Sequence, residues 1–215
     1  MKALVFDFDG LIIDSETPEY ECWRQVWQQH GQTLSVENWV RCVGGSDGIR
    51  FDLELERLLG RSLDWEQIHP ERIRHHESLM AGQALLPGVE DLMARASEQG
   101  WKVGVASSSS TKWVQGGLER LGLMRYVQAL RTRDMVEQRK PHPEPYIKVL
   151  ADLGANAALS FAFEDSEPGV LSAKAAGLTV VAVPNQLTRL QNLSAAHMIL
   201  ASLEDFQLPS VDRGE

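Results

Sequence analysis

Cysteine is scarce in this chain. The two present, Cys22 and Cys42, are too few for a disulfide framework and lack the spacing of a zinc-binding set. Both read as reduced structural thiols of a cytoplasmic protein. Long hydrophobic runs are missing as well. No stretch approaches the roughly 20 apolar residues that cross a bilayer, and the apolar start of MKALVFDFDG is too short for a secretory leader and runs at once into acids. Excess positive charge is also absent. The formal net charge is −9, which disfavours nucleic-acid backbones and anionic membrane surfaces as partners. A local cluster of cations, or a metal ion, still leaves room for a small phosphorylated metabolite. There is no internal repeat, no low-complexity segment, no Walker loop, no dinucleotide glycine fingerprint and no GxSxG elbow. What remains is a globular composition, 43% hydrophobic and 24% charged over 215 residues, enough for one domain or for one domain carrying a smaller insert.

The pattern along the chain separates two kinds of sequence. Ala3 to Phe6 is a short apolar run ending in Asp7-Phe8-Asp9-Gly10, the signature of a buried parallel strand meeting a loop. Residues 15 to 82 are rich in charge and tryptophan and carry helical spacing, as in Trp23/Trp27 and Leu53, Leu55, Leu58, Leu59. With little strand signal there, the segment reads as an all-helical insert, and Pro87-Gly88 marks the return. Beyond it strands and helices alternate. Strands are expected at Trp101 to Ala106, Val127 to Leu130, Phe161 to Phe163, Thr179 to Val183 and Met198 to Leu200. Helices are expected at Val89 to Gln99, Thr111 to Leu121, Tyr146 to Leu153 and Pro168 to Ala176. That alternation predicts an α/β fold, a doubly wound, mostly parallel sheet with helices on both faces. The predicted division is 1–14 and 83–215 as the core and 15–82 as the insert. Ligands of such sheets bind at the carboxyl ends of the strands, and the polar clusters fall there: Asp7/Asp9, Ser107, Glu164/Asp165, and Lys140 across a loop.

Taken singly, each cluster has an ordinary explanation. Asp7 and Asp9, two apart in an extended segment, project to one side about 6.5 Å apart. Two such carboxylates at a buried strand end repel each other, and a divalent cation relieves that repulsion. Alone, such a pair is more often a polar strand end or a helix cap. Glu164-Asp165 adds carboxylates at another strand end, a hard-oxygen set that suits Mg²⁺, though Asp165 or Ser166 could simply cap the next helix. Ser107 opens the run Ser107 to Ser110, where hydroxyls and backbone N–H groups at a strand-to-helix turn can hold phosphate oxygens. An ammonium group at Lys140 would neutralise a phosphoryl group and hold a carboxylate. His75-His76 reads as two solvated residues rather than a metal site, since neighbours on a helix point about 100° apart. The tryptophans at 23, 27, 39 and 65 read as the core of the insert. Arg131, Arg133 and Arg139 read as a solvated basic patch.

In combination and order, these segments resemble the haloacid dehalogenase (HAD) superfamily. Asp7-Phe8-Asp9-Gly10-Leu11-Ile12-Ile13-Asp14 is similar to its first motif, the apolar strand ending in Ser107 to its second, Lys140-Pro141 to its third, and Glu164-Asp165-Ser166 with Gly169 to its fourth. The resemblance spans nearly the whole chain. The insert looks like the small helical cap of the subgroup that contains β-phosphoglucomutase and sugar-phosphate phosphatases. The resemblance implies a Rossmann-like HAD core, phosphoryl transfer through an aspartyl-phosphate on Asp7, and Asp9 as the acid and then the base. It further implies Mg²⁺ held by Asp7, Asp165, the Asp9 backbone carbonyl and Glu164, with the phosphoryl group held by Ser107, Ser108 and Lys140. Gly10 to Ser15 and Leu85 to Gly88 become hinges of the cap, with Asp14 fixing the first.

Hydrolysis of a small phosphorylated metabolite, a sugar phosphate by this resemblance, is the expected reaction. Dehalogenation is set aside because dehalogenating members lack an acid at the position of Asp9. A phosphosugar mutase is the alternative. Glu21 stands where the mutase has a histidine, and Asp47, in the segment Val43-Gly44-Gly45-Ser46-Asp47, stands where it has a phosphate-gripping arginine, although Arg50, Arg72 or Arg74 could substitute. A phospho-receiver switch shares acids, a hydroxyl and a Lys-Pro, but it needs no insert and carries its phosphorylated Asp after the third strand. A catalytically silent binding protein remains the last alternative. A monomer or a small homo-oligomer fits the composition equally well.

Overall fold

The computed structural model describes residues 1–41, 43 and 50–209. Its centre is strand β1, Ala3–Phe6, in which all four side chains are fully buried. A run of four apolar residues can be buried on both faces only inside a sheet that is covered twice, and this one is. β1 lies between β2 (Lys102–Ala106) and β4 (Phe161–Glu164), and the full order is β3-β2-β1-β4-β5-β6, with β3 at Ala129–Arg131, β5 at Thr179–Ala182 and β6 at Met198–Ile199. Every pairing is parallel, and Phe6 stands opposite Val105 on one side and Phe163 on the other.

Period-two alternation sorts the strand residues onto two cores. Leu4, Phe6, Val103, Val105, Phe163 and Val181 pack against α5 (Val89–Glu98) and α6 (Thr111–Arg120). Ala3, Val5, Ala106, Ala162, Val180 and Ala182 pack against α7 (Glu144–Leu153) and α8 (Glu167–Ala175). Each fully buried Val, Leu or Phe stabilises the fold by about 1.5–3 kcal/mol, so the two cores hold β1 rigidly. The chain leaves β1 to build β2 and β3 on one side, then returns to β4 on the other. This reversal opens a crevice at the carboxyl end of β1.

Between β1 and α5 the described residues form four helices: α1 (Glu16–Gln29), α2 (Val36–Val40), α3 (Phe51–Leu59) and α4 (Trp65–Ala81). They pack around an apolar cluster that Leu187, from the segment after β5, also enters, and in it Trp39 stacks on Phe51 with ring centroids 4.9 Å apart. Trp27 and Trp39 are buried there, and Trp23 and Trp65 pack partly buried against them. The two connections to the sheet domain touch each other: Ile13 bridges Leu85, and Leu86 N–H donates to the Ile12 carbonyl at 2.9 Å.

Most expected elements fall within a residue or two of the observed ones. β3 is the strand whose two ends both move the same way, from 127–130 to Ala129–Arg131. Val127 is used in a turn, its N–H donating to the Met124 carbonyl at 3.3 Å. At the other end the Arg131 carbonyl accepts Ser107 N–H at 2.9 Å, which extends the ladder beyond the apolar residues. Among the described residues no helix is long and apolar enough to cross a membrane.

Candidate active site

Asp7 is the first residue after β1, and its N–H continues the ladder to the Phe163 carbonyl at 3.0 Å. Its carboxylate meets Lys140, which arrives from the loop after β3. Lys140 is 2% exposed, and an ammonium group at that depth must place all three of its protons. It does so: Nζ donates to Asp7 Oδ1 at 2.6 Å, to Glu164 Oε1 at 2.6 Å and to the Ala106 carbonyl at 2.8 Å. Tyr146 on α7 donates its hydroxyl to the same Glu164 Oε1. Asp165, next along, accepts from Asn185 Nδ2 at 2.8 Å.

Asp7, Glu164 and Asp165 are all buried, and each offers a carboxylate oxygen within 4.8 Å of the others. Three carboxylates face one ammonium group. Burial, with the nearby Glu164 and Asp9 carboxylates, pushes the Asp7 carboxyl up to about 8 against the pull of Lys140. Burial and then Asp7 raise Asp165 well above the carboxylate range. Burial alone would weaken the charge on Lys140, yet Asp7 and Glu164 hold its pKa above the ordinary lysine value. Glu164 Oε2 is buried and finds no hydrogen-bond partner among the described residues. Surplus negative charge, hard oxygen donors and an orphaned carboxylate oxygen are what a divalent cation satisfies. The donor set therefore fits such an ion.

Two glycines make room for the cluster. Gly10 has φ +76°, and a Cβ there would overlap the Asp165 carboxylate. At Gly169, in the first turns of α8, a Cβ would run into the Glu164 carboxylate. We expect Gly169→Ala to push Glu164 off Lys140 and Tyr146, lowering stability by about 1–3 kcal/mol through overpacking and weakening divalent-cation binding. Thermal melts with and without added Mg²⁺ check this. An unchanged melting temperature and ion dependence would show that the carboxylate tolerates the methyl group.

Asp9 has different partners from Asp7. The strand ends at Phe6, so the extended spacing does not carry through to Asp9, and its carboxylate is not one of the three clustered acids. Ser15 Oγ donates to Asp9 Oδ1 at 2.8 Å, and Trp113 Nε1 to the same oxygen at 2.8 Å. Ser109 Oγ and Ser107 Oγ donate to Oδ2 at 2.6 and 3.4 Å. Ser107 is itself buried and accepts Ser109 N–H at 3.0 Å. The Ser108 hydroxyl is buried and has no partner among the described residues.

These groups floor a cavity of about 670 Å³ whose opposite wall comes from the four-helix insert. That wall carries Glu16, Glu19, Trp23, Trp39, His69 and His76. Burial, then Asp9 and Glu19, pushes the Glu16 carboxyl up to about 8. Glu19 accepts from Arg72 at 2.7 Å and Trp23 Nε1 at 3.1 Å, and lies 3.5 Å from His76 Nε2. His76 thus faces the cavity, unlike the solvated residue expected. His75 contacts Cys22 Sγ at 3.7 Å. Glu21 pairs with Arg24 instead of facing the cavity. Arg50 pairs with Asp52, and Arg74 is exposed. In the basic patch Arg131 pairs with Asp152, whereas Arg133 reaches the cavity. Asp14 accepts Thr17 N–H at 3.0 Å, bracing the start of α1. Cys42, Asp47 and the segment 44–46 lie outside the described residues.

The residues singled out in the sequence therefore fall into two adjoining groups. Asp7, Lys140, Glu164 and Asp165 form one, and Asp9 and Ser107 the other, with Ser108 beside them on the cavity wall. Tyr146, Asn185 and Trp113 were not singled out. Asn185 had a faint signal, a Pro-Asn pair just after β5 at the ligand-binding edge. Tyr146 and Trp113 had none, because a lone aromatic near a helix start reads as core.

The sequence also matches known proteins. The family model of haloacid dehalogenase-like hydrolases matches residues 4–183. The protein YhcW of Bacillus subtilis (strain 168) is 40% identical over 188 residues, covering 87% of this chain and 86% of its own. Hexitol phosphatase B of Escherichia coli (strain K12) is 31% identical over 190 residues, covering 85% and 83%. Among solved structures, CbbY from Rhodobacter sphaeroides in complex with phosphate superposes with a TM-score of 0.73 at 26% identity, over 94% of this chain and 95% of that one. With a family match over residues 4–183 and a relative 40% identical over 87% of its length, this chain belongs to the haloacid dehalogenase-like hydrolases.

Proposed function

We propose that the chain is a Mg²⁺-dependent phosphatase that hydrolyses a small phosphorylated metabolite, a sugar phosphate, through an aspartyl-phosphate on Asp7. The observation that carries this reading is the buried Lys140 ammonium bridging Asp7 and Glu164 beside Asp165. A lysine at that depth charge-matches a carboxylate that must meet a dianionic phosphoryl group. Lys140 and the hydroxyls of Ser107 and Ser108 hold the phosphoryl oxygens. The Asp7 carboxylate attacks phosphorus and displaces the alkoxide, which takes a proton from Asp9. Asp9, now a carboxylate, removes a proton from the water that attacks the aspartyl-phosphate, which restores Asp7 and releases phosphate. Asp7, Asp165, the Asp9 carbonyl and Glu164 would hold Mg²⁺, which when bound would supply the positive charge that lets two anions approach.

Residues 15–82 act in this reading as a cap domain on the core of 1–14 and 83–215, with hinges at 10–15 and 85–88, closing over the substrate to exclude water. The aromatic and acidic wall suits a neutral polyhydroxylated leaving group. Hexitol phosphatase B, and a relative from Thermotoga maritima named for phosphorylated carbohydrates, support that substrate class. The chain would work in the cytoplasm as a monomer or small homo-oligomer, without nucleic acid or membrane.

Phosphate release from a panel of sugar phosphates, nucleotides and short phosphate esters tests the reading. Turnover concentrated among sugar phosphates is expected. The panel includes glucose 1-phosphate with a bisphosphate primer, where isomerisation without phosphate release would make the chain a mutase. No turnover of any ester with Mg²⁺ present would leave the binding-protein alternative standing.

A further inference from the structure

We propose that Trp113 is a positioning residue for Asp9, fixing the carboxylate rotamer from which the leaving group is protonated; this rests on the role given to Asp9 above. Among the described residues four groups donate to Asp9, and three of them are serine hydroxyls, which rotate and can accept as readily as donate. The fourth is the indole N–H of Trp113, 2.8 Å from Oδ1. An indole nitrogen only donates, and its direction is fixed by a rigid ring. Among the described residues it is therefore the one partner that defines where Oδ1 must lie.

The ring is itself anchored. Ser110, the N-cap of α6, accepts Trp113 N–H at 3.4 Å, fixing the helix start. The indole packs against the core cluster, and the His76 ring of α4 lies against it with centroids 6.0 Å apart. Elsewhere indole N–H groups go both ways: Trp23 and Trp65 donate to Glu19 and Glu56 at 3.1 and 2.9 Å, whereas among the described residues those of Trp27, Trp39 and Trp101 are buried without a partner. Packing alone thus does not require an indole to find an acceptor here, and the bond from Trp113 to Asp9 is a separate feature of the site.

The test compares two substrates that differ in their need for acid catalysis. Sorbitol 6-phosphate has a poor, alkoxide leaving group, and 4-nitrophenyl phosphate has one that departs unprotonated. Trp113→Phe, and a variant with benzothienylalanine at position 113, which keeps the ring shape with sulfur in place of N–H, are assayed on both. We expect kcat on sorbitol 6-phosphate to fall about tenfold with KM within about twofold, and kcat on 4-nitrophenyl phosphate to fall less than about threefold. Equal losses on the two substrates, or no loss on either, would overturn the assignment. The benzothienyl variant decides if Trp113→Phe fails to fold. Asp9→Asn is run alongside. If it shows no difference between the two substrates, or if the wild type turns over neither, the role of Asp9 falls and Trp113 with it. If Asp9→Asn separates the substrates and the Trp113 variants do not, only the Trp113 assignment is lost.

Discussion

Asp7→Asn is expected to lower kcat for phosphate-ester hydrolysis by roughly 10⁴-fold or more, the order seen when a covalent nucleophile is removed, while the protein stays folded. The amide oxygen is a far weaker nucleophile, but it still accepts a hydrogen bond, so Lys140 keeps a partner at that position as well as Glu164 and the Ala106 carbonyl. Asparagine also matches aspartate in shape, which leaves the packing at the end of β1 unchanged. Its neutrality removes one of three mutually repelling buried acids, and burial already pushes Asp7 up to about 8. The melting temperature of the ion-free variant should accordingly equal or exceed that of the wild type. Paired phosphate-release assays and thermal melts check both halves. A variant that kept half its activity would refute the nucleophile, and one that unfolded would show that the Asp7–Lys140 ion pair is a structural support.

How far the fold was legible depended on whether the determining interactions were local. β1 could be placed to the residue because Ala3–Phe6 is apolar without interruption and ends in an acid. α5 and α6 were legible from their apolar spacing and from the glycines, Gly100 and Gly122, that follow them. β3 was displaced because a three-residue strand is defined by its neighbour. Gly104 pairs with Ala129, and the Ser107 N–H finds the Arg131 carbonyl, neither of which sequence periodicity can show.

The site divides the same way. Asp7, Ser107, Glu164 and Asp165 each sit directly after or at the end of a strand, so the rule that ligands bind at strand ends found them. Lys140 lies farther from its strand, across a loop from β3, so the strand-end rule pointed to it only weakly and the motif order singled it out. The hydrogen-bonding environment of Asp9 was illegible, because it draws donors from positions 15, 107, 109 and 113, which only the fold brings together. Glu19 was hidden for a related reason. On α1 the choice between Glu19 and Glu21 as the cavity-facing acid depends on the rotation of the helix, and α4 sets that rotation through Arg72.

Removing divalent cations is the second large effect, and its pH dependence follows from the buried carboxyls. In the ion-free protein Asp7 titrates near 8, against an ordinary value of 3.8, and Glu16 near 8 against 4.5. Between about pH 4 and 8 the folded state therefore holds protons that the unfolded chain has lost, and the stability of the ion-free protein falls as pH rises through that window. Bound Mg²⁺ needs the ionised carboxylates, so it competes with those protons and its affinity climbs toward pH 8. We expect excess EDTA to abolish turnover. We expect the chelated protein to melt at a lower temperature at pH 8 than at pH 5. Mg²⁺ at a hundred times its dissociation constant should add about 2.7 kcal/mol, or about 5–10 °C for a domain of this size. At one fixed Mg²⁺ concentration the gain should be several-fold smaller at pH 5. The comparison separates two origins of the ion's effect. A cation that merely screened surface charge would raise the melting temperature similarly at both pH values, and salt without Mg²⁺ would reproduce it. A cation entering the Asp7–Glu164–Asp165 cluster must displace protons, so its benefit has to grow with pH. Full activity in EDTA, or a Mg²⁺ gain independent of pH, would remove the ion from this cluster and leave the surplus charge around Lys140 to be balanced by protons alone.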